Sequence, residues 1–195
     1  MKGPTFMTSA HSAKRYGMVP QLLHWTTVCL VIIAWTLGMF GDELPKGNPR
    51  ATGLFIHISA GLLILTALIV RLAWRLAEPP PPPEPNELGN WLGVFADPAA
   101  RFAHYALYAL LVAVPIAGIM AQFANGDAMP LLGIGEFPSP WTRDRAFAHT
   151  LKEIHETLAN ALVILAIFHG TAALLHHFVF GDNTLVRMLP FGGKR

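Results

Sequence analysis

The sequence predicts an all-α integral membrane protein, a bundle of four helices. Two observations carry that prediction. The 195 residues are 53% hydrophobic and only 13% charged, where an ordinary soluble domain carries about 25% charge. The apolar residues also gather into four segments, at about residues 20–40, 53–76, 99–122 and 150–180. Each is long enough to cross a hydrocarbon core about 30 Å thick. Lipid offers no partner to an open backbone polar group, so only helices or closed barrels cross it. Apolar runs of about twenty residues are too long for barrel strands. Residues 1–195 read as one domain with no internal repeat.

Taken in order, Met1–Val19 lacks an apolar stretch and a small-residue cleavage site, so it is not expected to act as a secretory signal. The first span carries His24, Gly38 and the single cysteine, Cys29, which is expected to be a packed apolar residue and excludes any disulfide. The second carries His57, Gly61, Arg71 and Arg75. Behind it runs Glu78-Pro-Pro-Pro-Pro-Pro-Glu84-Pro85, a stiff polyproline spacer between two hairpins, with docking of a partner as the less favoured role. The third span opens near His104 and holds Pro115 and Gly118. A loop rich in Gly and Pro, Asn125–Thr142, offers Trp141 as an interfacial anchor. The fourth segment exceeds a span and is expected to project into the interface. An even number of spans puts both termini on one side, with nine of the 14 Lys and Arg residues; Lys46, Arg50, Arg143, Arg145 and Lys152 face the other. The positive-inside rule makes the terminal side cytoplasmic.

The histidines carry the chemistry. His155 and His169 are 14 residues apart on the fourth span, about 21 Å and nearly four turns, so they share a face near opposite edges of the membrane. An ionisable group at such a depth is a functional candidate. Helices one and three run outward and helices two and four run inward. That puts His24 and His169 at the cytoplasmic level, and His57 and His155 at the outer level. Four imidazoles at two matched depths are what two bis-histidine haems need, paired His24–His169 and His57–His155. Without a C-x-x-C-H site these would be non-covalent b haems. A polar proton or metal pathway is the competing reading, because a lone histidine in a span more often packs or lines than ligates.

Other residues are open between two roles. His104 either lines the inner haem or packs at the interface. His176, two turns beyond His169, suits a hydrogen bond to a quinone carbonyl, or is a solvated interfacial residue. His177 is expected at the surface, and His11 and His149 in a loop and at a helix start. Arg71 and Arg75 either pair with haem propionates or simply anchor the cytoplasmic helix end. Gly38, Gly61 and Gly118 admit either a flat macrocycle or a close helix.

The sequence resembles the bacterial cytochrome b561 family of small four-helix di-haem cytochromes. The resemblance rests on Arg15-Tyr16, Leu23-His24-Trp25, Ile56-His57-Ile58-Ser59-Ala60-Gly61, Arg71-Leu-Ala-Trp-Arg75, and His104 with Pro115 and Gly118. It continues through Lys152-Glu-Ile-His155-Glu-Thr-Leu-Ala-Asn160, His169 to His177, and Asp182-Asn-Thr-Leu-Val-Arg-Met188. It covers about Arg15 to Pro190. The family's haem ligands fall on His24, His57, His155 and His169. The resemblance implies a multi-pass protein of the bacterial inner membrane. In similar members superoxide is oxidised outside and ubiquinone is reduced in the membrane. Lys152, Arg143 and Arg145 would then form a cationic funnel for the superoxide anion, unless they are engaged by Asp144 and Glu153. The alternative function is a cytochrome b subunit that serves a redox protein partner, and a haem-binding sensor is a third class. The lipid bilayer and a quinone are the expected partners, with no nucleic acid.

Overall fold

The computed structural model describes residues 15–79, 81 and 96–190. Four long helices dominate: α1 Met18–Phe40, α2 Asn48–Ala77, α3 Ala96–Ala124 and α4 Arg145–Phe178. All four are long and apolar enough to cross a membrane. Many large apolar side chains point outward, among them Ile32, Ile69, Ile167 and Phe168. That is the surface a lipid solvent favours, since nothing drives these side chains inward from hydrocarbon.

The helices are longer than the apolar runs, because local signals set their ends. Gly47 adopts a left-handed φ of 95°, and Pro49 sits in the first turn of α2, where its missing N–H costs nothing. Helix α2 therefore starts about one turn ahead of its apolar run. Helix α4 begins at Arg145 because the Asp144 carboxylate accepts from the Phe147 N–H at 3.0 Å, a cap worth about 1 kcal/mol. At 34 residues α4 is about 50 Å long, so it overruns the hydrocarbon as expected. Pro115 lies inside α3 and withholds one N–H from the helix.

Helices α1 and α2 form one closely packed antiparallel pair, and α3 and α4 form the other. The α2–α3 contact joins them, α1 and α4 touch less, and the diagonal pairs meet marginally or not at all. Trp35 Nε1–H donates to Asn160 Oδ1 at 3.0 Å and bridges the sparse α1–α4 side. Ile64, Leu68, Leu111 and Leu162 form the central core. A two-stranded ribbon, β1 Met129–Pro130 against β2 Glu136–Phe137, lies against α2 and α3. Trp141 packs on Phe123 and Phe147.

Beyond α4 the chain folds back as a strap over the start of α1. Gln21 Nε2–H donates to the Arg187 carbonyl at 3.0 Å and Trp25 Nε1–H to that of Met188 at 2.9 Å. Arg15 donates to the Val186 and Leu189 carbonyls. One expectation fails: Cys29 is exposed on α1, because its side of the helix faces outward from the bundle. His11 and most of the proline spacer lie outside the described residues.

Candidate cofactor site: two histidine layers

The layer farther from the two chain ends, called outer for that position, is built twice over. His57 on α2 bonds through Nδ1 to the Ala34 carbonyl of α1 at 2.8 Å. His155 on α4 bonds through Nδ1 to the Val114 carbonyl of α3 at 2.9 Å. A carbonyl only accepts, so in each ring Nδ1 carries the proton, and in the neutral ring Nε2 keeps its lone pair. Fixing one nitrogen in this way is how proteins set an imidazole to ligate through the other. One turn beyond each carbonyl stands a glycine against the ring. A Cβ on Gly38 would lie 3.2 Å from His57 Cε1, and one on Gly118 would lie 3.0 Å from His155 Cε1. The two imidazoles meet across the bundle diagonal, their centroids 5.8 Å apart and planes at 77°.

At the opposite end lie His24, Arg71, His104 and His169, one from each helix. His104 and His169 rings meet edge to face at 5.1 Å. His24 and Arg71 lie within electrostatic range of them. The Arg71 guanidinium sits 5.5 Å from the Tyr108 ring centroid, while Arg75 is exposed near the end of α2. His104 bonds through Nδ1 to the Ala100 carbonyl of its own helix at 2.7 Å. The structure thus brings His57 to His155 as depth predicts; at the other level the ring that meets His169 is that of His104, with His24 within electrostatic range.

One spacing ties the layers together. On every helix the outer and inner positions are 14 residues apart: His24 and Gly38, His57 and Arg71, His104 and Gly118, His155 and His169. Midway on each lie Val31, Ile64, Leu111 and Leu162, all members of or packed on the central core. The two helix pairs therefore repeat one plan, His then Gly on α1 and α3 and His at the corresponding level of α2 and α4, with only Arg71 and His169 differing in type. Gly61, expected beside a macrocycle or helix, has nothing within 4 Å of the place its Cβ would take.

The outer cations are engaged differently from expectation. Lys152 pairs with Glu156 at 3.5 Å and Asp42 at 3.9 Å, not with Glu153. Adjacent residues point about 100° apart on a helix, whereas i and i+4 share a face. Glu153 instead faces His149 at 3.7 Å, and Asp144 is spent on the α4 cap. Arg143, just ahead of α4, and Arg145, at its first position, are exposed. At the strap end, His176 Nδ1–H donates to Asp182 Oδ2, and His177 packs edge-on against Phe178.

The model of the prokaryotic cytochrome b561 family matches residues 15–191. The chain belongs to this family. It is 33% identical to cytochrome b561 homolog 2 of Escherichia coli K12, over 94% of this chain and 95% of that one. A protein of Yersinia pestis described as a probable superoxide oxidase, CybB, is 34% identical over 91% of this chain and 97% of its own. Cytochrome b562 of Cereibacter sphaeroides is 28% identical over 89% and 94%. As a prokaryotic cytochrome b561, the protein is a multi-pass membrane electron-transfer cytochrome, of a family whose members bind b-type haem. The residues present suit such a group: imidazoles with free Nε2 lone pairs, glycines against the rings, and diagonals without close helix contact.

Proposed function

We propose that this cytochrome b561 oxidises superoxide on the periplasmic side and reduces ubiquinone near the cytoplasmic side, with both termini cytoplasmic and residues 1–195 acting as one unit. The observation that carries the reading is the matched outer pair, His57 and His155, each held by Nδ1 with Nε2 free. These two would ligate an outer b haem, and His24 with His169 an inner one. When bound, the haems supply one-electron carriers at two depths of the membrane.

The rest of the work falls to the chain. The layer of Val31, Ile64, Leu111 and Leu162 keeps the two polar layers apart and excludes water between them. Arg71 and Arg75 offer fixed positive charge for the propionate carboxylates at the inner level. At the outer level Arg143 and Arg145, with Lys152 partly neutralised by Glu156 and Asp42, attract a small anion. One-electron transfer needs only close approach, so no deep pocket is required. The likeness to a protein described as a probable superoxide oxidase supports this donor. His176 lies two turns beyond His169 on the same face, a position that would suit a hydrogen bond to a quinone carbonyl beside the inner haem.

Stopped-flow mixing of the oxidised protein with superoxide at two ionic strengths tests the reading. Fast haem reduction that slows as salt screens the cations is expected. Slow, salt-independent reduction would instead favour a cytochrome subunit that takes its electrons from a protein donor.

A further inference from the structure

At the end of α4, His176 is paired with a carboxylate, Asp182, that has no part in the reading above. Gly181 takes a left-handed φ of 68°, which ends the helix and turns the chain back on itself. The Asp182 N–H then reaches the His176 carbonyl at 3.1 Å. The same turn lays the Asp182 side chain against the His176 ring, where Oδ2 accepts from Nδ1–H. Its other oxygen, Oδ1, accepts from the Thr184 N–H at 2.8 Å. Phe180 packs on the imidazole at 5.7 Å between centroids. The ring keeps 18% of its side-chain surface exposed and Asp182 only 9%. Burial works against the Asp182 carboxylate, but the Thr184 N–H and the His176 ring outweigh it and hold its pKa below the ordinary aspartate value. Asp182 is therefore an ionised oxygen pair that only accepts, and it fixes which ring nitrogen of His176 is free.

We propose that Asp182 is a positioning residue of the quinone site, holding His176 by Nδ1 so that Nε2 is the nitrogen presented to the quinone. The proposal rests on the quinone reading above. Nε2 donates to a quinone carbonyl when protonated and accepts from a quinol hydroxyl when not, so one ring recognises both partners of the couple. Two superoxide anions lose one electron each and leave as two molecules of dioxygen. The quinone takes those two electrons and two protons, one on each carbonyl oxygen. His176 gives the Nε2 proton to the oxygen it faces and remains neutral, with its Nδ1–H still on Asp182. Water supplies the proton at the other oxygen, and Nε2 is recharged from the cytoplasmic water.

Asp182→Asn distinguishes orientation from shape. The amide is the same size but can donate to Nδ1, which leaves a neutral ring protonated at Nε2. Such a ring still donates a hydrogen bond to the carbonyl but cannot release the proton without becoming an imidazolate. Re-oxidation of the reduced holoprotein by a short-chain ubiquinone should then slow about tenfold at saturating quinone. The half-saturating concentration and both haem spectra should be unchanged, and Asp182→Glu should recover most of the rate. His176→Ala should raise the half-saturating concentration. Native kinetics in Asp182→Asn with a slowed His176→Ala would overturn the role of Asp182 and leave the quinone site standing. Native kinetics in both would overturn the quinone site as well. Should Asp182→Asn lose haem, ¹⁵N spectra of the histidine-labelled native protein, assigned by difference from His176→Ala, read the tautomer directly. A protonated Nδ1 supports the proposal and an unprotonated one overturns it.

Discussion

The outer and inner histidine layers occupy equivalent levels of the same repeated plan, yet they are built by opposite means. In the outer layer α1 and α3 contribute glycines and carbonyls, and α2 and α4 contribute imidazoles locked onto them. In the inner layer no position is small: three imidazoles and a guanidinium converge. Among the described residues none of those three rings is tied to a neighbouring helix's carbonyl; His104 bonds only within its own helix. The difference teaches where rigidity sits. The outer site is fixed by backbone on both sides. The inner site depends on side chains, and on a strap that ties the end of α4 to the start of α1.

If that contrast holds, the largest effect should come from His169→Ala. It removes a proposed inner ligand and should abolish haem re-oxidation by quinone, while superoxide still reduces the outer haem. Rapid-mixing spectra at the two haem bands check this, and intact re-oxidation would break the assignment of the inner layer. Next comes Gly118→Ala, which drives a Cβ to about 3.0 Å from His155 Cε1, closer than ordinary packing allows. The ring must shift, and the outer haem band should broaden or weaken at unchanged inner band. Gly61→Ala is the control, because its Cβ meets nothing within 4 Å.

A smaller change is expected for His104→Ala. The inner layer would lose a ring that touches His169 at 5.1 Å but keep both proposed ligands. Haem content should therefore persist, with the inner haem's potential shifted and the outer one's unmoved in a redox titration. Loss of the inner haem would make His104, not His24, the partner of His169. The smallest effect should be that of Lys152→Gln on superoxide-driven reduction, since Glu156 and Asp42 already offset that charge. Arg143→Gln should flatten the salt dependence more, and a reversed order would show that the ion pairs open in solution.

Much of this was legible in the sequence. Low charge and four apolar runs dictate the bundle, and depth parity brings His57 to His155. The 14-residue spacing on α4 stands out in the sequence because it joins two histidines, whereas on the other three helices the same spacing is hidden. There the partners of histidine are Gly38, Arg71 and Gly118, which share no residue type with it. Periodicity of apolar residues gave the spans without their ends, because Gly47 with Pro49 and the Asp144 cap extend α2 and α4 past their apolar runs. The ion pairs of Lys152 depend on helix phase and on Asp42, which is distant in sequence. The Asp182 contact needs the left-handed Gly181, and that conformation shows only in the folded chain.

The central claim is that the two layers are two separate haem sites, and haem counting in ligand variants tests it most directly. A pyridine haemochrome assay should find two haems per native chain and one in each of His57→Ala and His155→Ala, with the same inner spectrum remaining in both. His24→Ala should leave the complementary spectrum. One haem per native chain, or the same spectrum surviving in His57→Ala and His24→Ala, would contradict the account.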